Sequence, residues 1–87
     1  MNVTFPPVEA WDANRDVVSF PAEVDGTRIR CAVSWEALQD NFGGNGVPPL
    51  DCFRAARHAI ETKAEGLIRK GHFEGDGSIL IRSQDGA

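Results

Sequence analysis

The sequence predicts an α+β domain in which a mostly antiparallel sheet of about four strands carries one long helix and one short helix on one face. Apolar and polar residues alternate over residues 27–34, which is typical of a strand with one buried face. Asp25-Gly26 precedes this run and favours a tight hairpin turn. Apolar residues recur every three or four positions between residues 50 and 70, which predicts an amphipathic helix. A chain of 87 residues has the size of one domain, which we assign to residues 1–87.

The segments with the composition of strands are residues 3–5, 16–24, 27–34 and 78–82. Pro6 and Pro7 end the first strand, because proline lacks the N–H group that a ladder needs. Pro21, within the second strand, predicts an edge position or a bulge. We interpret residues 11–14 as a turn from which Trp11 folds back onto the domain as an apolar anchor.

Two helices are predicted from their end signals and their periodicity. Ser34 can cap a short helix over residues 35–42, since its hydroxyl can accept a hydrogen bond from a free backbone N–H. A long helix over residues 50–70 follows a loop rich in glycine and proline, and Gly71 suits its C-terminal cap. The apolar face of the long helix should pack on the sheet, and it carries Phe53, Ala56, Ile60, Ala64 and Leu67.

The formal net charge is −4, and this balance disfavours nucleic acid and anionic membrane surfaces as partners. The first residues have neither the basic start nor the apolar run of a signal peptide. No stretch approaches the roughly 20 apolar residues that cross a bilayer. We therefore expect a cytoplasmic protein with no membrane partner. Cys31 and Cys52 are too few for a disulfide-stapled scaffold.

A series of short motifs spans nearly the whole chain in a defined order. They are Val3-Thr4-Phe5, Trp11-Asp12, Arg15, Val18-Ser19-Phe20-Pro21-Ala22, Asp25-Gly26, Ile29-Arg30-Cys31-Ala32-Val33-Ser34, Glu36-Ala37-Leu38, Phe53, Arg57, Ile60-Glu61, Ala64 and Gly77-Ser78-Ile79-Leu80-Ile81. In this order they resemble the small bacterial family catalogued as domain of unknown function 1488. The resemblance implies a compact α+β domain in a bacterial cytoplasm. It implies no reaction and no ligand, so it supplies no catalytic residues.

Two cysteines and two histidines match the ligand count of a zinc site, but their spacing does not. Zinc ligands usually come in close pairs, whereas no two of Cys31, Cys52, His58 and His72 are closer than Cys52 and His58, which are six positions apart. Cys31 falls on the apolar face of a strand, where a free cysteine behaves as a small hydrophobe. We predict no metal site and no cofactor.

The sequence has no motif of a catalytic nucleophile or of a phosphate-binding loop. His58 has Arg54, Glu61 and Glu65 near it on the polar side of the long helix, and a histidine beside carboxylates can act in acid–base chemistry. A solvated helix face with charge pairs such as Arg57 with Glu61 explains the same residues. We predict no catalytic residue and expect that the protein is not an enzyme.

Arginines mark one candidate surface. Arg28 and Arg30 share the polar side of a strand, and Arg82 joins them if the last strand pairs alongside. Three guanidinium groups on one sheet face could hold an anion, an acidic partner or RNA backbone. The favoured alternative is a solvated face on which Glu23 or Glu74 pairs with these arginines.

Small residues mark a second candidate surface on the long helix, where a stripe contains Cys52, Ala55, Ala59 and Gly66. Gly66 costs about 1 kcal/mol relative to alanine in a helix interior, so close approach of another helix could offset that cost. The other helix could be the short one over residues 35–42, which is favoured, or a second copy of the protein.

Three function classes stay open at this point. The first is a non-enzymatic protein-interaction or regulatory module with an unknown protein partner, in which an exposed sheet edge could support a homodimer. The second is a nucleic-acid-associated regulator that uses Arg28, Arg30 and Arg82. The third is a small ligand binder or enzyme that uses His58 and the region of Arg57. Small size and the lack of catalytic motifs favour the first.

Overall fold

The computed structural model describes residues 1–86, in which five strands form a mixed sheet and three α-helices pack on it. The strands are β1 (Val3–Thr4), β2 (Ala10–Asp12), β3 (Val17–Val24), β4 (Thr27–Ser34) and β5 (Ile79–Ile81). The helices are α1 (Trp35–Asn41), α2 (Pro49–Ala55) and α3 (Arg57–Lys70), followed after β5 by a 3-10 turn at Ser83–Gly86. The sheet order is β1-β3-β4-β5, and β2 also pairs with β3. The predicted α+β class is confirmed.

β3 and β4 form the predicted hairpin and pair in antiparallel register up to Val24 opposite Thr27. The turn residues Asp25 and Gly26 have φ angles of 51° and 86°. Two-residue hairpin turns need such positive values, and an Asp-Gly pair adopts them readily. Local sequence therefore determines the register of the two longest strands.

β1 and β2 lie one after the other along the edge of β3 that β4 leaves free. β1 pairs with the last residues of β3 and β2 with its first residues, so residues 5–9 between them make no ladder pairing. Pro21 of β3 lies in the interval opposite this unpaired segment. Pro21 lacks a backbone N–H, which predicts an interruption of strand pairing, and the pairing of β3 is interrupted beside this residue.

The turn predicted over residues 11–14 starts too early, because Trp11 and Asp12 lie in β2, with Trp11 opposite Val18. The turn comes later, at residues 13–16, where Asp16 adopts a φ of 54°. The role expected for Trp11 is confirmed: its ring meets that of Trp35 edge-on at 6.4 Å, and it packs against the core.

β5 pairs with β4 in parallel, with Leu80 opposite Ala32, whereas the three other pairings are antiparallel. The sheet is therefore mixed, and mostly antiparallel as predicted. The parallel pairing of β5 follows from the connection. A tight hairpin makes the next strand antiparallel to the one before it. A long crossover connection can instead carry the chain back to the end at which the preceding strand started, so that the next strand runs parallel to it. Here α1, α2 and α3 form that crossover between β4 and β5.

The ends of the helices follow the predicted signals. The hydroxyl of Ser34 accepts a hydrogen bond from the Ala37 amide at 3.0 Å and caps α1. α3 ends at Gly71, which has a φ of 73°, and the next amide, that of His72, donates to the Leu67 carbonyl at 3.0 Å. A residue without a Cβ adopts this left-handed conformation at little cost.

The single long helix predicted over residues 50–70 is wrong, because the chain bends at Ala56 (φ −106°, ψ 14°) and forms α2 and α3. Neither proline nor glycine stands at this position, so local propensity favours a continuous helix. Phe53 of α2 and Ile60 of α3 are both fully buried, so the apolar face predicted for one helix is kept across the interruption. The interruption itself has no cause in the local sequence.

The three helices pack on one face of the sheet and bury a single apolar cluster against it. The central aromatic contact joins the rings of Phe20 and Phe53, whose centroids are 5.1 Å apart. The buried members of the cluster are Val18, Phe20, Ala22, Cys31, Val33, Ala37, Leu38, Cys52, Phe53, Ile60, Ala64, Leu67, Ile68, Ile79 and Ile81. Within residues 1–86, no helix has the length and apolar composition to cross a membrane.

Gly66 lies inside α3, and a Cβ atom built on it would meet no heavy atom within 4 Å outside its own helical turns. Because glycine is less favourable than alanine in a helix, we expect Gly66→Ala to raise the free energy of unfolding by about 0.5–1 kcal/mol. Urea denaturation followed by tryptophan fluorescence would measure this change. A loss of stability would contradict the open space beside Gly66.

Candidate functional site

The sheet has a second face that the helices leave uncovered. Its residues alternate with the core residues along each strand, as the pleat requires. We call this surface the open face, and its residues are Ser19, Pro21, Glu23, Arg28, Arg30, Ala32 and Leu80. Ser19 lies opposite Ala32, which in turn lies opposite Leu80, so the face extends across β3, β4 and β5.

Arg28 lies near one end of the open face and pairs with the residue directly across the hairpin. Its guanidinium donates to a carboxylate oxygen of Glu23 at 3.0 Å, and the Arg28 side chain is 59 % exposed. An exposed pair of this kind contributes little stability, about 0–1 kcal/mol. Arg28 is therefore held in place while most of its guanidinium stays in contact with solvent.

Arg82 lies just beyond β5, toward the other end of the sheet. It donates two hydrogen bonds to Glu74, at 2.7 and 3.0 Å, and these hold the pKa of the Glu74 carboxyl below its ordinary value. Because β5 runs parallel to β4, Arg82 falls roughly 20 Å from Arg28 along the strands. The structure therefore does not bring Arg28, Arg30 and Arg82 into one cluster.

Arg30 lies in the middle of the open face. Among residues 1–86, its guanidinium has no partner in an ion pair or a side-chain hydrogen bond. The nearby Asp76 accepts from the Ser78 hydroxyl at 2.6 Å and from its amide at 3.0 Å. These bonds lower the pKa of Asp76, and the charge of Arg30 lowers it further.

A groove with a volume of about 350 Å³ runs along the open face beside β2. We call it the Arg30 groove, and the side chains that line it on this face are Val8, Ala10, Ser19, Pro21, Arg28 and Arg30. Val8 comes from the unpaired segment between β1 and β2 and is 54 % exposed. That segment forms one wall of the groove, so the groove depends on the interrupted pairing of β3.

A smaller hollow of about 130 Å³ continues from the Arg30 groove toward β5. Arg30 borders both, and the hollow adds charged side chains from Asp12, Arg15 and Asp76. Asp12 accepts hydrogen bonds from the amides of Asn14 and Arg15, at 3.0 and 3.3 Å. Both aspartates of the hollow thus accept hydrogen bonds from residues two or three positions further along the chain, and these bonds stabilise the local turns.

The predicted helix-contact stripe is divided between two helices by the bend at Ala56. Cys52 is buried against the end of α1, where its thiol donates to the Phe42 carbonyl at 3.4 Å. Ala55 and Ala59 are exposed, and the space beside Gly66 is open. The stripe is therefore not a continuous packed surface in this chain, although Cys52 does make the intramolecular contact with α1.

The cysteines and histidines lie in different environments. Cys31 and Cys52 are buried in the core, and burial raises the pKa of Cys31 to about 12 and also raises the pKa of Cys52. His58 and His72 are exposed. Across the described residues, no group of three or more His, Cys, Asp or Glu side chains is placed to hold a metal ion.

Glu9 forms a contact that sequence reasoning missed. Its carboxylate, only 13 % exposed, accepts from Arg54 at 2.9 Å and also pairs with Arg57. Arg57 in addition contacts Glu61 at 3.3 Å and lies over the ring of Phe53, 4.8 Å from its centroid. Arg57 thus has carboxylate partners within the fold. No local pattern joins Glu9 to a helix so distant in sequence.

These features define a small α+β domain with a mixed sheet, one helical face and one open face that carries a groove. The chain belongs to the family described as "Protein of unknown function (DUF1488)", whose model matches residues 3–81. The family resemblance read from the motifs is confirmed. The expected lack of an assigned reaction agrees with the description of this family.

Relatives that align with this chain over nearly their whole length occur in bacteria. The chain is 38 % identical over 80 residues to the uncharacterised protein YrdB of Escherichia coli (strain K12), covering 91 % of this chain and 94 % of that protein. It is 37 % identical over the same length to YrdB of Shigella flexneri, with the same coverage. A crystal structure of a DUF1488 protein of unknown function from Shewanella loihica PV-4 superposes with a TM-score of 0.77 at 26 % identity, covering 93 % of this chain and 94 % of that one.

Proposed function

We propose that this protein is a small, non-enzymatic protein-interaction module of the bacterial cytoplasm that binds its partner on the open face. The observation that carries the proposal is the one-sided covering of the sheet. α1, α2 and α3 all pack on the same face, and the other face carries a groove of about 350 Å³ with exposed apolar and cationic walls. Grooves of this size are typical of sites that take a side chain or a small ligand.

The chemistry of the remaining candidate residues supports binding over catalysis. Cys31 and Cys52 are buried, and their raised pKa values keep them as thiols, the unreactive form, at neutral pH. His58 is exposed on α3, and Arg57 beside it is engaged by Glu9 and Glu61. These groups do not form a nucleophile with an adjacent base in a pocket, the arrangement that nucleophilic catalysis uses.

The charge pattern supports a protein partner over nucleic acid. The net charge is −4, and Glu23 and Glu74 partly neutralise Arg28 and Arg82. Affinity for nucleic acid depends on many unneutralised cations that meet phosphates. Arg30 and its immediate neighbours provide too few unneutralised cations to bind nucleic acid, and they suit a local contact with a protein partner.

The experiment is a pull-down from bacterial lysate with tagged protein, with and without nuclease. It compares the wild type with Arg30→Glu on the open face and Arg69→Glu on α3, which changes the net charge equally. We expect a stoichiometric protein that survives nuclease, is lost with Arg30→Glu and is kept with Arg69→Glu. Equal capture by the wild type and both variants, or partners lost on nuclease treatment, would contradict the proposal.

A further inference from the structure

We propose that the Arg30 groove binds a short, extended acidic peptide segment that inserts one large apolar side chain between Val8 and Pro21. This inference rests on the proposed function and names the chemistry of the partner. Three properties of the groove carry it: its apolar walls, the charge at its rim and the spacing of its arginines along β4.

The walls of the groove are suited to an apolar side chain. Val8 is among the exposed large hydrophobic residues of residues 1–86, and Pro21 and Ala10 add apolar surface beside it. A volume of about 350 Å³ is enough for an aromatic ring. Burial of such a ring is the usual anchor of a protein interface, because large buried side chains contribute most of the binding energy.

The rim of the groove is positive, although the protein as a whole is negative. Arg30 has no ionic partner among the described residues. One guanidinium nitrogen of Arg28 donates to Glu23, and the other N–H groups of that guanidinium form no hydrogen bond among these residues. The acid that borders the groove, Glu9, is engaged by Arg54 and Arg57 on its other side. Asp76 is close enough to Arg30 for their charges to interact, but it pairs with Ser78 and not with the Arg30 guanidinium. Carboxylates of a partner can therefore pair with Arg30 directly and with the nitrogens of Arg28 that Glu23 does not contact, and charge complementarity selects an acidic segment.

The spacing of the arginines fits an extended peptide. Arg28 and Arg30 are two residues apart on β4, so their Cα atoms are roughly 6.6 Å apart. Side chains at alternate positions of an extended peptide have the same spacing and point to the same side. Two acidic residues at alternate positions can thus pair with the two arginines. The next alternate position beyond Arg30 is level with Ser19 and Ala10, which line the groove beside Val8, so an apolar residue there can enter it.

The test titrates ¹⁵N-labelled full-length protein with a blocked peptide of sequence Ser-Asp-Ser-Asp-Ser-Phe-Ser at low salt. Two control peptides replace both Asp by Lys, or Phe by Ser. We expect amide shifts at residues of the Arg30 groove and weak binding by the acidic peptide that weakens further with salt. Either control peptide should bind at least about tenfold more weakly, since each lacks one of the two complementary features.

Variants of the protein locate the contact. Arg30→Glu should lower the affinity for the acidic peptide by more than about tenfold, and Arg30→Gln should lower it less. Arg69→Glu should leave this affinity unchanged. Arg30→Glu should also bind the Lys peptide better than the wild type does. Arg30 is exposed, so these variants should fold, and their amide spectra check this.

The inference is overturned if the acidic peptide gives no shifts at millimolar concentration, binds elsewhere, or binds no better than the Lys peptide. It is also overturned if concentrated protein without peptide shows the same shifts together with a doubled mass, because a second copy then occupies the groove. A lysate partner that depends on Arg30 but presents no acidic segment would leave the proposed function standing and remove this inference alone.

Discussion

Replacing Phe53 with alanine should lower the free energy of unfolding by about 3–5 kcal/mol, the range for removal of a buried aromatic side chain. Phe53 is fully buried in α2, its ring is 5.1 Å from that of Phe20, and the guanidinium of Arg57 lies 4.8 Å from its centroid. The substitution removes contacts with both the sheet and α3. Urea denaturation followed by the fluorescence of Trp11 and Trp35 would measure the loss.

The matched control is Phe73→Ala, which makes the same chemical change on a side chain that is 44 % exposed. Its cost should be smaller, about 1–1.5 kcal/mol, because nearly half of the residue is already in solvent and full burial of such a side chain contributes about 1.5–3 kcal/mol. A domain of this size has a total stability on the order of 4–13 kcal/mol, so Phe53→Ala removes a large share of it. Similar losses for the two variants would show that Phe53 is not at the centre of the core.

Gly44→Ala should destabilise the protein by about 1–3 kcal/mol through overpacking. A Cβ atom at Gly44 would lie 2.8 Å from the carbonyl oxygen of Leu38 and 3.0 Å from the sulfur of Cys52. The Leu38 carbonyl is backbone at the end of α1 and already accepts the Gly44 amide at 2.8 Å. It cannot move away without breaking that hydrogen bond, so the turn itself must shift.

Gly66→Ala provides the matched comparison, because the same substitution there meets open space. The two variants should therefore change the midpoint of urea denaturation in opposite directions, Gly44→Ala downward and Gly66→Ala upward. If Gly44→Ala proved neutral, the loop after α1 would have more room than the packing of Leu38 and Cys52 allows. Lower midpoints for both would contradict the difference between the two sites.

The candidate site was accessible from the sequence only in part. The alternation along β4 places Arg28 and Arg30 on the solvent side, and both are exposed there. The same pattern could not separate Arg82 from them, because its position depends on the parallel pairing of β5. Val8 and Pro21 were not recognised as walls of a groove. The signal available was an apolar residue directly after Pro6-Pro7 in a segment that cannot pair continuously.

The sequence by itself determined the features that depend on neighbours along the chain. Asp25-Gly26 turns the hairpin because those two residues tolerate positive φ. Ser34 caps α1 with its own hydroxyl, and Gly71 ends α3 in a left-handed conformation. Each of these preferences acts within a few residues, so it does not depend on tertiary contacts and can be read from the sequence.

Only the tertiary structure decided the features that depend on partners distant in sequence. These are the pairing of β2 with β3, the parallel pairing of β5, the bend at Ala56 and the contacts of Glu9 with Arg54 and Arg57. Each arises because burying the apolar face of the sheet brings together segments whose local preferences carry no information about one another. The open face is such a feature too, since it exists only because all three helices pack on the opposite side.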